Sequence, residues 1–333
     1  MTRAPETILD EVRLFQKSRG ILTAAALDLF TLLHSRPATA ADISSRIGAD
    51  ARGTTRLLDA LIVFGLLEKE AGVYRVTEAG ACLSSAHPKS VLPMVLHMNT
   101  LWDRWSRLTD AVRAGGCPGG VPAFQKDDEA LKAFIGAMHV VGRAVADEVA
   151  ASCAPERFRR LLDVGGGSGV YTIAFLRRNP ALTAALFDRP GVIPMARARI
   201  AEEGLEGRVE LVAGDFEEDD LPLGFDVALL SAIIHQNSPA QNVTLFRKVH
   251  RALVPGGAVL VRDHVMDEER TSPPAGALFA LNMLVGTEGG DTYTFREIEE
   301  ALGTAGFEEV RSLRTGERME GLVEARKPGV PSR

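Results

Sequence analysis

The sequence predicts an α/β protein in which a mainly helical winged-helix domain is followed by a Rossmann-like, doubly wound sheet with an antiparallel last strand. Three observations support this prediction. Apolar, strand-like runs alternate with helical patterns from about residue 154 onward, as a parallel sheet requires. The first of those runs ends in a cluster of glycines. The first hundred residues show two short helical patterns followed by a hairpin pattern.

The bulk composition indicates a soluble protein with more than one domain. The chain has 333 residues, of which 46% are hydrophobic, so it can bury large cores. A net charge of -6 argues against a nucleic-acid-binding surface. Cys82, Cys117 and Cys153 are too widely spaced for a disulfide framework or a zinc cluster, so we expect no metal. Without a signal core or an apolar run of roughly 20 residues, we expect a cytoplasmic protein that does not bind membranes.

Residues 1–100 are predicted to form the winged-helix domain. Apolar residues recur at helical spacing at its start, and residues 40–48 and 54–61 predict two short helices about a turn. Residues 66–77 predict a β-hairpin with Gly72 in its turn. Two helices followed by a hairpin are the pattern of a winged helix.

The winged-helix pattern also occurs in DNA-binding proteins, so a regulator that senses a small ligand is one alternative. Against it, the second predicted helix is largely apolar and offers only Arg52 and Arg56 to a DNA groove. The helices between Ile8 and Leu33 carry more apolar surface than one small domain can cover. We therefore expect an intertwined dimer rather than a nucleic-acid complex.

Residues 101–153 are predicted to be helices that connect the two domains. Trp102 and Trp105 lie one helical turn apart and therefore on one face. A glycine-rich break covers residues 115–120, and a helical stripe of apolar residues begins at Leu131.

The glycine cluster after the first strand of the predicted sheet is the most informative motif in the chain. A strand, a tight turn and a helix N-terminus in this order are typical of a nucleotide-type cofactor site. The dinucleotide fingerprint does not fit, because its closing position is Val170, and Asp163 at the strand end would repel a pyrophosphate. A ligand with a positive amine and no phosphate, such as S-adenosylmethionine (SAM), fits better; a merely structural turn is the alternative. The glycines expected to approach the ligand are Gly165, Gly167 and Gly169.

Two later strands also end in acidic residues. Residues 184–188 end in Asp188, whose carboxylate can accept both hydroxyls of a ribose. The third strand, which begins at Val209, ends in Gly214, Asp215 and Phe216, where the acid can accept the adenine amino group and the ring can lie against the purine. Three acids at successive strand ends are hard to explain as turn residues.

These motifs resemble those of the class I SAM-dependent methyltransferases, and more narrowly of the small-molecule O-methyltransferases of the caffeate, acetylserotonin and bacterial tailoring type. Besides the glycine cluster, the segments that carry the resemblance are Phe187-Asp188-Arg189-Pro190, Gly214-Asp215-Phe216, Leu253-Val254-Pro255-Gly256-Gly257 and residues 258–263. The resemblance covers nearly the whole chain. It implies a SAM-binding domain over residues 154–333, with Arg189 and Ser231 among the cofactor contacts, and a homodimer formed through the N-terminal domain. The implied reaction is methyl transfer to a hydroxyl of a small aromatic metabolite.

His235 is the predicted general base. It follows the fourth strand, residues 225–231, at the carboxyl edge of the sheet, and the resemblance implies a catalytic histidine at this position. Asp263 ends the neighbouring fifth strand and is expected to orient the imidazole, whereas His264 is a less favoured base. The resemblance also implies an acceptor pocket lined by Trp105, Phe124, Met138, His139, Phe279 and Met283.

The chain departs from the family pattern near the predicted base. The family commonly has His-Asp-Trp, whereas this chain has His235-Gln236-Asn237. Thr292 stands where relatives often carry a glutamate, so one supporting carboxylate is missing unless Asp291 reaches the histidine. Some relatives have kept SAM while changing the reaction. A SAM-binding relative that methylates carbon, hydroxylates, decarboxylates or closes a ring is therefore the other alternative.

Overall fold

The computed structural model of the chain describes residues 4–117 and 128–330. The chain divides into two compact units, Met1–Trp102 and Asp103–Arg333. In the described part of the chain, none of the helices has both the length and the apolar character needed to span a membrane.

The amino-terminal unit combines helices with a small antiparallel sheet. Its helices are α1 (Pro5–Ala26), α2 (Leu29–Ser35), α3 (Ala40–Ile47), α4 (Ala51–Val63), α5 (Glu78–Ala81) and α6 (Leu92–Trp105), the last of which ends inside the second unit. Its strands are β1 (Ala38–Thr39), β2 (Leu67–Glu70) and β3 (Val73–Val76), paired in the order β1-β3-β2.

Helices α3 and α4 with the β2–β3 hairpin form the predicted winged helix. The hairpin turn is made by Ala71 and Gly72, both with positive φ (48° and 82°), as the right-handed twist of a two-residue turn favours. Leu58 and Leu61 of α4 are fully buried, so the apolar face of this helix packs into the core of its own unit. The predicted fold class of this unit is confirmed.

The first half of α1 presents apolar side chains to solvent. Ile8, Leu9, Val12, Leu14 and Phe15 are between 48% and 64% exposed. A continuous apolar surface of this kind commonly marks an interaction site.

The carboxy-terminal unit alternates strands and helices. Its helices are α7 (Leu108–Ala114), α8 (Asp128–Ser152), α9 (Val170–Arg178), α10 (Ile193–Glu202), α11 (Pro239–Ala252), α12 (Pro274–Gly286) and α13 (Phe295–Thr304). Its strands are β4 (Arg160–Val164), β5 (Thr183–Asp188), β6 (Val209–Ala213), β7 (Phe225–Ser231), β8 (Leu253–Asp263), β9 (Val265–Met266), β10 (Tyr293–Thr294), β11 (Glu308–Arg314) and β12 (Gly321–Arg326).

Seven of these strands form one sheet in the order β11-β12-β8-β7-β4-β5-β6, while β9 and β10 pair with each other. The neighbouring strands β6, β5, β4, β7 and β8 are parallel to one another. Strand β12 is antiparallel to both of its neighbours, so the predicted antiparallel last strand is confirmed. Strand β8 begins at Leu253, earlier than the predicted Ala258, because Leu253 already pairs with Phe225. The strand order reverses between β4 and β7, the place where open α/β sheets bind ligands.

Helices cover both faces of the sheet. Leu162 and Leu230 belong to a buried core that includes residues of α11 and α13. Leu161 and Leu229 belong to a second core with residues of α8 and α9. Because successive strand residues point to opposite faces, these two cores fix the direction of each side chain at the carboxyl ends of the strands.

Candidate active site

The turn after β4 is a glycine loop that lies tightly on the sheet but is open at one point. A Cβ on Gly166 would lie 2.6 Å from a leucine Cγ of β5, and one on Gly165 would lie 2.5 Å from Ile233 Cδ1. Gly169, with φ 79°, is the N-cap residue of α9 and donates its N–H to the Gly166 carbonyl (2.9 Å). Gly167, with φ 57°, has no atom within 4 Å of its Cβ position, so a ligand can approach the backbone there.

Asp188, the last residue of β5, lies beside this loop. Its carboxylate accepts the backbone N–H groups of Gly167 and Arg189, each at 2.7 Å. Burial raises the pKa of Asp188, although these two hydrogen bonds act in the opposite direction. Since the residue is only partly buried, its remaining lone pairs can accept hydroxyl groups from a ligand.

Gly214, Asp215 and Phe216 follow β6 in a loop, whereas the sequence predicted that the strand continued to Phe216. The strand ends at Ala213 because its partner β5 ends at Asp188, which pairs with Ala213. Gly214 then packs on Phe187, where a Cβ would lie 2.5 Å from the ring Cζ. Asp215 forms an ion pair with Arg189 (3.2 Å between Oδ2 and Nε). The Phe216 ring lies 3.8 Å from the Cβ position of the first glycine of the loop. The loop therefore brings these predicted residues to the glycine loop and Asp188.

Asp163 lies beneath the glycine loop. It is 1% exposed and accepts the hydroxyl of Thr172, in the first turn of α9, at 2.5 Å. Burial, with a smaller contribution from the charge of Asp188, raises the pKa of Asp163 to about 6. The structure thus places a carboxylate where its charged form is disfavoured, in contact with the helix that follows the loop.

We expect Asp163→Asn to stabilise the free protein at neutral pH. Because the folded-state pKa (about 6) exceeds the ordinary value of 3.8, the unfolded chain loses this proton first as the pH rises. The ionised Asp163 therefore lowers the free energy of unfolding. This loss of stability is absent below the ordinary pKa of 3.8 and complete above about pH 6. Removing it should gain on the order of 1–3 kcal/mol, since asparagine still accepts from Thr172. Thermal unfolding at about pH 7.5 and about pH 4 measures the effect. An equal gain at both pH values would contradict this explanation.

The predicted base, His235, is held by Asp263. A short 3₁₀ turn, Ile234–Gln236, carries the histidine just after β7, and Asp263 is the last residue of β8. The His235 Nδ1 lies 3.0 Å from Oδ1 and 2.9 Å from Oδ2 of Asp263, which also accepts the backbone N–H of His264 at 2.8 Å. The other ring nitrogen, Nε2, is therefore turned away from the carboxylate. Asp263 is 1% exposed, and the His235 side chain is 13% exposed.

Neighbouring groups stabilise the negative charge of Asp263. Burial by itself would raise the pKa of Asp263, but His235 and the N–H of His264 outweigh it and hold that pKa below its usual value. Asp263 is therefore ionised at neutral pH, and because a carboxylate can only accept, its hydrogen bond with the imidazole comes from a proton on Nδ1.

Helix α12 supplies the aromatic surroundings of His235. Phe279 stands edge-on to His235 (4.9 Å between ring centroids) and tilted against His264 (5.0 Å). Burial lowers the pKa of His264 to about 4, so this second histidine is neutral. Met283 lies about one helical turn further along α12 and is buried. Of the residues predicted to line the acceptor pocket, Phe279 thus lies in contact with His235.

Two other residues predicted to line the acceptor pocket, Trp105 and His139, make side-chain hydrogen bonds with α12 and with the glycine loop. Trp105 donates its indole N–H to Asn282 of α12 (3.0 Å), a residue that we did not predict although it is a lone polar side chain in an apolar helix. His139 of α8 contacts the glycine loop, with its Nδ1 3.0 Å from Ser168 Oγ, and burial lowers its pKa. Met138 is half-buried on the same helix. Phe124 lies outside the described residues.

Asp291 does not reach His235. Its carboxylate pairs with Arg270 (3.3 Å) and accepts the backbone N–H of Thr292 (2.8 Å). The preceding Gly290 instead packs against the backbone of His235: a Cβ there would lie 2.4 Å from the His235 carbonyl oxygen. In the described part of the chain, Asp263 is the carboxylate that contacts the imidazole.

Asn237, which departs from the His-Asp-Trp pattern common in the family, has a structural role. Asn237 donates to Asn242 of α11 (3.0 Å), and Asn242 donates to the carbonyl of Ile234 (2.9 Å). The Tyr293 hydroxyl donates to the Asn237 carbonyl. These buried bonds hold the turn that carries His235.

Two family models and several known proteins match the chain over most of its length. The model of the O-methyltransferase domain matches residues 105–308, and that of the O-methyltransferase dimerisation domain matches residues 10–86. The tetracenomycin polyketide synthesis 8-O-methyl transferase of Streptomyces glaucescens is 35% identical over 317 residues, 93% of each chain. Acetylserotonin O-methyltransferase of Gallus gallus is 32% identical over an alignment of 338 positions, which covers 96% of each chain. The structure of human N-acetylserotonin methyltransferase with SAM has a TM-score of 0.85 at 28% identity and covers 98% of this chain and 99% of that one.

Proposed function

The chain belongs to the family of SAM-dependent O-methyltransferases, and on that premise we propose that it methylates a hydroxyl of a small aromatic metabolite with His235 as the general base. The observation that carries the proposal is the pairing of His235 with the buried Asp263 at the carboxyl edge of the parallel strands. The acetylserotonin enzymes among its relatives support an aromatic acceptor.

The residues around the glycine loop fit SAM. Asp188 offers a fixed carboxylate for the two ribose hydroxyls, and Gly167 leaves its backbone open to close approach. The Phe216 ring and Asp215 stand where an adenine would need a flat apolar surface and an acceptor. Asp163, Asp188 and Asp215 together would repel a phosphate, which SAM lacks. We infer that Arg189 positions Asp215 through their ion pair.

Bound SAM supplies a methyl group on a sulfonium, which an oxygen nucleophile can displace in line. The task of the protein is then to position the acceptor and to remove its proton. Nε2 of His235 takes the proton from the hydroxyl, and Asp263 stabilises the imidazolium that forms. Phe279 packs against the imidazole in a T-shaped arrangement.

The decisive experiment follows the methyl group. The purified protein is incubated with methyl-labelled SAM and a panel of phenols, and the labelled atom is located by mass spectrometry. Label on an aromatic oxygen supports the proposal. Label on carbon, or consumption of SAM without methyl transfer, would point to a family relative with another reaction.

Asp188→Ala should weaken SAM binding without unfolding the protein. The variant leaves ribose hydroxyls without their acceptor, at a cost of about 1–3 kcal/mol, or roughly 5-fold to 150-fold in affinity. Calorimetric titration with S-adenosylhomocysteine measures the loss. Asp220→Ala is the matched control, since the Asp220 side chain is 86% exposed and pairs with Arg251 on the surface. Equal affinities of Asp188→Ala and the unmodified protein would remove Asp188 from the site.

We also propose a homodimer formed through the amino-terminal unit. The exposed apolar residues of α1 and the match to a dimerisation domain support it. Light scattering at micromolar concentration should report a dimer, and Leu9→Glu combined with Phe15→Glu should weaken it. Leu223→Glu, which changes an exposed leucine of the other unit, should leave the dimer intact. A stable monomer of the unmodified chain would contradict the proposal.

A further inference from the structure

The loop after β6 carries five carboxylates within six consecutive residues. We call residues 214–220 the acidic loop. Its acids are Asp215, Glu217, Glu218, Asp219 and Asp220. Neighbouring like charges repel one another, so this loop needs compensation to keep one conformation. That requirement bears on binding, because Asp215 and Phe216 of the same loop are the candidate contacts of an adenine.

The half-buried Lys248, on α11, binds the backbone of the acidic loop. Its Nζ donates to the carbonyl oxygens of Phe216 (2.8 Å), Glu217 (2.9 Å) and Asp219 (2.8 Å). An ammonium has three N–H donors, and these three bonds use all of them. Lys248 was not among the predicted site residues, because its partners are backbone groups 29 to 32 positions away in the chain.

Helix α11 is a rigid support for this lysine. The helix begins with a capping box, and its apolar side, which includes Leu245 and Val249, is buried in one of the two cores of the sheet. Phe216 of the acidic loop packs against the same core. A side chain fixes a loop only when its own backbone is fixed. Lys248 therefore ties the acidic loop to the core.

A shared peptide group passes this constraint to Asp215. The Oδ1 atom of Asp215 accepts the backbone N–H of Glu217 at 3.0 Å. That N–H and the Phe216 carbonyl belong to one planar peptide group, so the ammonium that orients the carbonyl also orients the N–H. The other carboxylate oxygen of Asp215 pairs with Arg189 (3.2 Å). Lys248 thus helps to set the direction of a carboxylate that it does not touch.

We propose that Lys248 is a positioning residue for the cofactor, which holds the acidic loop so that Asp215 and Phe216 meet the adenine of SAM in a fixed geometry. The proposal rests on SAM as the cofactor and on the place proposed for its adenine. A loop that is ordered before binding loses less conformational freedom when the ligand arrives. Lys248 therefore raises the affinity and sharpens the choice between purine bases.

Calorimetric titration with two ligands tests this role. S-adenosylhomocysteine offers the adenine amino group to Asp215, whereas its hypoxanthine analogue, S-inosylhomocysteine, presents a carbonyl oxygen that the carboxylate repels. The unmodified protein should prefer S-adenosylhomocysteine roughly 10-fold to 100-fold. Lys248→Met should weaken S-adenosylhomocysteine binding roughly 5-fold to 50-fold. It should also reduce the preference several-fold, because a looser loop no longer fixes the carboxylate.

Arg251→Met is the matched control. Arg251 lies on the same helix and pairs with Asp220 of the acidic loop (3.0 Å), but both side chains of this pair are exposed. The control should keep the preference for S-adenosylhomocysteine within about twofold of the unmodified protein. If it lost as much of the preference as Lys248→Met, the charge of the loop rather than its backbone bonds would set the preference, and the proposal would be overturned.

The ratio of the two affinities separates positioning from a general structural role. A variant that only destabilises the fold weakens both ligands equally, so an unchanged ratio in Lys248→Met overturns the proposal. Should that variant fail to fold, Lys248→Gln tests the same point, because glutamine has no charge and donates at most two hydrogen bonds. It should lower the ratio in the same direction, and an unchanged ratio is again decisive against Lys248.

Two results with the unmodified protein distinguish this proposal from the function on which it rests. If the protein binds S-adenosylhomocysteine but does not prefer it to S-inosylhomocysteine, the adenine does not lie at the acidic loop, and the role of Lys248 is overturned while SAM remains the cofactor. If it binds neither ligand, SAM itself is overturned as the cofactor, and the role of Lys248 falls with it.

Discussion

His235→Gln is expected to lower turnover by roughly 10²–10⁴ while leaving the affinity for SAM nearly unchanged. This is the usual contribution of a positioned proton acceptor, and glutamine keeps a polar side chain without a titratable nitrogen. The readouts are single-turnover methyl transfer for the chemistry and calorimetry for binding. The change is local because His235 contacts Asp263 and Phe279 rather than the glycine loop.

The pH dependence separates base catalysis from simple positioning. A phenol has an ordinary pKa near ~10, and its phenolate needs no base. The loss caused by His235→Gln should therefore shrink as the pH approaches the pKa of the acceptor. A deficit that stays constant over this range would mean that the histidine only positions the acceptor. Near-normal turnover at neutral pH would remove it from catalysis.

Asp263→Asn is expected to have an effect of similar size, a loss of turnover of roughly 10²–10⁴. The neutral amide no longer stabilises an imidazolium, and its NH₂ group can face Nδ1 and favour the wrong tautomer. The matched control is Asp291→Asn, because Asp291 pairs with Arg270 and not with His235. The control should stay within about twofold of the unmodified protein. If both variants lost activity equally, Asp291 would have to be the second supporting acid after all.

Asp263→Asn should also change acid stability. Because the folded-state pKa of Asp263 is lowered, its ionised form stabilises the fold above the ordinary value of 3.8, and this stability is lost as the pH falls through the folded-state pKa. The variant lacks this term, so its unfolding free energy should fall less steeply in acid. Thermal unfolding between about pH 6 and about pH 3 measures the difference.

Much of the fold and of the candidate site is predictable from the sequence, because both depend on local patterns. Apolar runs that end in acids place Asp163, Asp188 and Asp263 at one edge of a parallel sheet, since parallel strands share their carboxyl ends. The glycine loop can be recognised in the sequence because positive φ angles and close contacts require glycine at several of its positions.

Contacts between distant segments were not predictable from these patterns. The bond between Trp105 and Asn282 joins residues far apart in the chain, and no local pattern indicates it. The early end of β6 follows from the end of its partner strand β5, which is a matter of register between two segments. The strand ends could be located from the sequence, but which face each side chain meets depends on register and neighbouring helices.

The contact between Gly290 and the His235 backbone has a consequence for remodelling the acceptor specificity of this enzyme. Since any side chain at position 290 would collide with the carbonyl of His235, a loop grafted from another scaffold must bring its own glycine to that point. In a library, residues 287–291 are therefore best kept constant, while side chains of α12 are randomised. Directed evolution that respects this division would explore new acceptors without displacing His235.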